Sequence, residues 1–86
     1  MRIPEAAAKP IVTRLKRAHG HLATVIRMLE EGQECEEVLT QLAAVHKALG
    51  RSGYTLVATG LRHCIATEGP DNVDQQKLER LFLAMA

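Results

Sequence analysis

The sequence predicts an all-α chain of three helices, and three observations carry that expectation. Apolar residues recur at helical spacing along nearly the whole length, and no segment alternates as a half-buried strand would. Nearly half of the 86 residues are apolar, yet there is one Tyr, one Phe and no Trp. A core must therefore come from Leu, Val, Ile and Ala, which suit packed helices better than strands.

Helix 1 is expected over about residues 6–30. Leu15, Leu22 and Leu29 repeat at seven-residue intervals, and Val25 and Ile26 complete an amphipathic stripe. Pro10 reads as lying in or just before the first turn, where a missing N–H is tolerated. Gly20 inside the pattern costs about 1 kcal/mol relative to Ala, and Glu31-Gly32 closes the helix by a glycine cap. Helix 2 is expected over about 33–67, through Val38, Leu39, Leu42, Val45, Leu49, Leu56, Val57, Leu61 and Ile65. Glycines at 50, 53 and 60 punctuate it but no proline does, so it reads as one long helix, with a break at Gly50–Gly53 as the alternative. The run Glu68-Gly69-Pro70-Asp71-Asn72 is a turn, with Asp71 or Asn72 available as N-cap. Helix 3 then occupies about 72–86, with Leu78, Leu81, Phe82 and Met85 on one face.

These helices make one small domain over residues 1–86, of a size that often gains stability by oligomerising. Met1 to Ala8 lacks the apolar run of a signal peptide, and no stretch approaches the roughly 20 apolar residues that span a bilayer. The expected location is cytoplasmic, with no membrane partner, and a permanent disulfide between the two cysteines is not expected there.

The net charge of +1 conceals an asymmetry: residues 1–29 carry six basic residues against one acid, the rest five against nine. Such a basic segment reads as an anion-binding surface or, more plainly, as a solvated helix face.

Cys35 and Cys64 lie 29 residues apart, a spacing that returns them to within about 20° of one helix face but about 43 Å apart along it. They cannot meet within one straight helix. Two copies of helix 2 packed antiparallel about an axis near Leu49–Gly50 would set Cys35 of one chain beside Cys64 of the other, twice over. Gly50 and Gly53 would then allow close backbone approach. The plainer reading is that both cysteines are buried packing residues.

The run Arg14-Leu-Lys-Arg-Ala-His-Gly-His-Leu, then Arg27-Met-Leu-Glu-Glu-Gly, Cys35, Gln41-Leu-Ala-Ala-Val and Leu49-Gly-Arg51 resembles the copper-sensitive operon repressor (CsoR/RcnR) family over about residues 9–67. The resemblance implies a three-helix protomer, an antiparallel four-helix-bundle dimer and a dimer-of-dimers tetramer. It also implies repression by binding operator double-stranded DNA, and release when an inducer acts at a cross-protomer site. It assigns no enzyme activity.

In the copper sensors that this chain resembles, a Cys faces a His-x-x-x-Cys pair from the other protomer. Here the thiol positions fall on Cys35 and Cys64, but the His position is Gly60, which offers no donor. His63 points about 100° away from Cys64 around the helix and could join only through a local distortion at Gly60. Two cysteines without the intervening His resemble the persulfide-sensing, CstR-like branch, which requires no cofactor. Cys35, at the start of helix 2, is then the expected nucleophile toward a persulfide or polysulfide inducer, and Cys64 of the partner resolves it. The flanking Glu34, Glu36 and Glu37 oppose the helix dipole at Cys35. The alternative is a Cu(I) sensor with Cys35 and Cys64 as soft ligands. Arg14 and Arg51 match basic positions that the family uses on DNA, and Lys16, Arg17 and Lys47 are further DNA candidates. A copper chaperone without DNA affinity is a third reading. A thiol enzyme finds no acid–base pair, glycine-rich loop or nucleophile elbow, and His19, His21 and His46 read as surface or interhelical hydrogen-bonding residues.

Overall fold

A computed structural model describes residues 2–72 and 74–85; the expected helix-3 positions 73 and 86 lie outside the described residues. Three α-helices follow in order, α1 (Glu5–Glu30), α2 (Cys35–Glu68) and α3 (Gln75–Met85), with a 3-10 turn at Pro70–Asn72 before the last. The all-α expectation holds.

Helix α1 begins on Pro4, whose carbonyl accepts from the N–H groups of Ala7 and Ala8. Pro10 falls inside the helix, later than its expected place in or before the first turn. The helix starts earlier than its apolar stripe, because the alanines after Glu5 carry strong helix propensity without contributing to the stripe. The end of α1 is a Schellman motif: Gln33 N–H donates to the Met28 carbonyl at 3.0 Å and Gly32 N–H to that of Leu29 at 3.1 Å. Gly32 sits at φ 73°, the left-handed conformation this closure requires.

Helix α2 runs unbroken for 34 residues. Gly50, Gly53 and Gly60 are all helical, so the alternative of a break is not taken. The cap of α3 falls later than the expected Asp71 or Asn72. Asp74 accepts through Oδ1 from the Lys77 N–H at 2.9 Å, because Pro70–Asn72 is used by the 3-10 turn.

Helices α1 and α2 pack as an antiparallel hairpin. Val25, Val38 and Val45 form its buried centre, with Leu22 and Met28 against them, and His21 hydrogen-bonds Gln41 across the helices at 2.6 Å. Helix α3 folds back along the second half of α2. Phe82 meets Tyr54 edge to face, centroids 5.7 Å apart, and Met85 lies against Gly53 where a side chain would stand. The expectation that Gly53 allows close approach of a second chain is therefore corrected: the chain's own α3 takes that space. At Gly50 nothing stands within 4 Å of where a Cβ would be.

The result is a slab of 52 × 26 × 13 Å. Its long edge is the length of α2, and its thickness is about that of a single helix. It exposes 6778 Å², where a compact monomer of 9.4 kDa exposes about 5,000 Å². Leu39, Leu42, Leu49 and Leu56 of α2 are among the exposed residues. Among the described residues no helix is long and apolar enough to cross a membrane.

Candidate functional site

The two cysteines occupy unlike settings at opposite ends of one helix. Cys35 is the first residue of α2 and is exposed, whereas Cys64, near its end, is buried at 4% exposure. With α2 continuous, their separation within a protomer is about 43 Å. The Cys64 thiol donates to Glu68 Oε2 at 3.4 Å. Burial pushes the Cys64 thiol above its ordinary value, and the hydrogen bond and negative charge of Glu68 push it the same way. Cys64 is thus held as a neutral thiol, and Cys35 is the sulfur open to solvent.

Among the described residues of one chain, no group of three or more His, Cys, Asp or Glu side chains could hold a metal ion. Helix α2 is α-helical through Gly60 to Cys64, without the distortion that would let His63 join Cys64.

The basic candidates gather more closely. Arg14 and Arg17 of α1 and Arg51 of α2 line one cavity of about 390 Å³ together with Ala18, His21, Ala48 and Ser52. Antiparallel packing makes this possible, since it sets the first half of α1 beside the middle of α2. Ser52 at its floor is buried, and its hydroxyl donates to the Ala48 carbonyl at 2.9 Å. Lys47 joins Arg14 and Arg51 around a neighbouring cavity that also includes His46, Tyr54 and Phe82. Lys16 lines neither cavity; its place on α1 is about 160° around from Arg14 and about 100° from Arg17. The structure therefore brings together Arg14, Arg17, Lys47 and Arg51 and leaves Lys16 apart.

Two features of the sites lie outside the sequence reading. Glu68 stands one helical turn after Cys64, a spacing at which side chains meet, and that signal is present in the sequence. The Tyr54–Phe82 wall has no comparable local signal, because it depends on how α3 folds back.

Residues 7–86 match the signature of a family described as metal-sensitive transcriptional repressors. The copper-sensing transcriptional repressor CsoR of Mycobacterium tuberculosis (strain H37Rv) is 32% identical over 80 residues, which are 93% of this chain and 67% of that protein. The copper-sensing transcriptional repressor RicR of the same organism is 36% identical over 69 residues, 77% of this chain and 72% of that protein. An uncharacterized protein of Bacillus subtilis (strain 168), YrkD, is 41% identical over 51 residues, 59% of this chain and 81% of that protein. No solved structure matches the chain.

Proposed function

This chain belongs to the family of metal-sensitive transcriptional repressors, which are not enzymes, and on that premise we propose that it represses transcription until reactive sulfur modifies its cysteines. It binds operator DNA as a homodimer or a dimer of dimers, with Arg14, Arg17, Lys47 and Arg51 on the phosphates and Lys16 as an outlying contact. The bare leucine face of α2 is covered by α2 of a second copy running antiparallel, which brings Cys35 toward the partner's Cys64.

The observation that carries the sulfur reading is the donor set. Both thiols are present, one exposed and one buried, while Gly60 stands where a copper sensor's histidine is expected. The chemistry balances without a further oxidant. The Cys35 thiolate attacks the sulfane sulfur of an organic persulfide, RSSH, and expels RS⁻, leaving a Cys35 persulfide. Cys64 of the partner, once deprotonated, attacks the Cys35 sulfur and expels HS⁻, giving an interprotomer disulfide. The net change is two thiols and RSSH to one disulfide, RSH and hydrogen sulfide. A second RSSH inserts one more sulfur and gives a trisulfide, releasing one further RSH. The bridge favours one helix register over another, so the basic faces of the assembly lose their match to DNA.

The second reading is Cu(I) release, favoured by the names of the similar repressors, with Cys35 and the partner's Cys64 as ligands. One experiment tests both. Fluorescence anisotropy of a duplex from upstream of the chain's own gene follows binding by the reduced protein, then addition of glutathione persulfide or, separately, Cu(I). Release by persulfide that Cys35→Ser and Cys64→Ser each abolish is the expected result. Release by Cu(I) alone would replace the sulfur reading with the copper one.

A further inference from the structure

His21 is half-buried between α1 and α2, and its Nε2 lies 2.6 Å from Gln41 Oε1. A carboxamide oxygen only accepts, so Nε2 carries the hydrogen and a neutral ring keeps its lone pair on Nδ1. The same histidine lines the arginine groove, beside Arg14 and Arg17 of its own helix and Ala48, Arg51 and Ser52 of α2. Arg17 stands one turn before it on α1, the spacing at which side chains meet.

Among the described residues no acidic side chain lines that groove. Beyond Gln41 a separate cavity holds Glu36 and Glu37 of α2, and α3 packs on α2 and not on α1. The groups facing His21 are therefore three guanidiniums, one amide and, past the amide, two carboxylates. The groove also lies away from the surface proposed for the dimer. Ala48, Arg51 and Ser52 are about 100–160° around α2 from Cys35 and Cys64, so a partner α2 on the cysteine face runs along the other side of the helix.

A neutral imidazole turned toward a phosphate presents a lone pair to an oxygen that already carries negative charge, and the two repel. With a proton on Nδ1 the ring donates to that oxygen while Nε2–H stays on Gln41, and such charge-assisted bonds are the strong ones. We propose that His21 is a further DNA contact, a protonated donor to the phosphate held by Arg14, Arg17 and Arg51. Operator binding then takes up a proton from the buffer wherever the ring is neutral beforehand. Gln41 is the positioning residue, since its acceptor fixes which nitrogen is left for the groove. This role rests on the DNA reading given above and adds one residue and one proton to it.

Calorimetry of binding to the duplex from upstream of the chain's own gene, in Mops and in Tris at neutral pH, counts the protons taken up. The two buffers differ in their own heat of ionisation, and the difference in binding heat gives the number. The parent shows net uptake, and His21→Gln, which keeps an N–H for Gln41 but no titrating ring, loses most of it. His19→Gln, at an exposed histidine about 160° away around α1, keeps it. Gln41→Glu sets a carboxylate on Nε2, charges the ring before DNA arrives and lowers uptake by the opposite route. By anisotropy, the gain in affinity from about pH 8 to about pH 6.5 is at least about fivefold larger in the parent than in His21→Gln, because the coupling of proton and DNA is reciprocal.

Salt-dependent binding with equal proton uptake in the parent and His21→Gln overturns the role of His21 and leaves the DNA reading standing. A loss of affinity in His21→Gln that is the same at every pH overturns it as well, since disturbed packing alone does that. No binding of the parent to the duplex overturns both.

Discussion

The contrast between Cys35 and Cys64 sets an order of reaction. An exposed thiol meets reagents directly, while a buried thiol that donates to a carboxylate must both emerge and lose its proton against a nearby negative charge. With iodoacetamide at neutral pH, mass spectrometry of the modified peptides is expected to find Cys35 alkylated before Cys64. Glu68→Gln removes the negative charge and is expected to raise the Cys64 rate several-fold; an unchanged rate would leave burial as the sole protection. The same raised thiol makes stability depend on pH. Because the folded state keeps the Cys64 proton to higher pH than the unfolded chain does, its contribution is complete below the ordinary thiol range and is lost as pH rises through the folded value. Urea midpoints are expected to fall above about pH 8.5, and Cys64→Ala is expected to flatten that fall. The spacing of the two thiols and the missing donor at Gly60 are legible in the sequence. Their unequal exposure is not, because periodicity places a residue on a helix face without saying what covers the face.

At the scale of the elements, boundaries rest on a few backbone hydrogen bonds. Gly32→Ala forces a side chain into the left-handed region and is expected to cost about 1 kcal/mol. Asp74→Ala removes the cap of α3 and is expected to cost about 1 kcal/mol. Equilibrium urea denaturation measures both, and a loss near zero for Asp74→Ala would mean that α3 docks without its cap. The long α2 is legible because glycine lowers helix propensity without removing the backbone donor, as proline does. The start of α3 falls a few residues later than expected because Asp71, Asn72 and Asp74 all carry capping side chains, and sequence alone does not choose among them. Gly53 suits the approach of a second chain as well as it suits Met85. Its use by Met85 depends on the return of α3, a tertiary contact more than 30 residues away in sequence.

A slab about one helix thick encloses only the small core around Val25, Val38 and Val45, and the leucines of α2 beyond it stay exposed. The slab's area is larger by roughly a third than that of a compact monomer, and in the proposed dimer another copy of the same helix supplies a second layer with a matching face. Sedimentation of the reduced chain is expected to give a dimer or larger species, and Leu49→Glu is expected to shift it toward monomer. DNA affinity is expected to fall steeply with salt, and Arg14→Ala and Arg51→Ala are each expected to weaken it by about tenfold or more. Lys16→Ala, which leaves both basic cavities intact, is expected to do less.

In the proposed switch, sensing, DNA release and assembly meet in one covalent species. The most direct measurement is therefore the intact mass, under non-reducing conditions, of protein released from its operator duplex by glutathione persulfide. The expected result is a cross-linked dimer carrying Cys35–Cys64 bridges between chains, either disulfide or heavier by one sulfur atom per bridge. Release with only monomeric masses and unmodified cysteines would contradict the proposed switch.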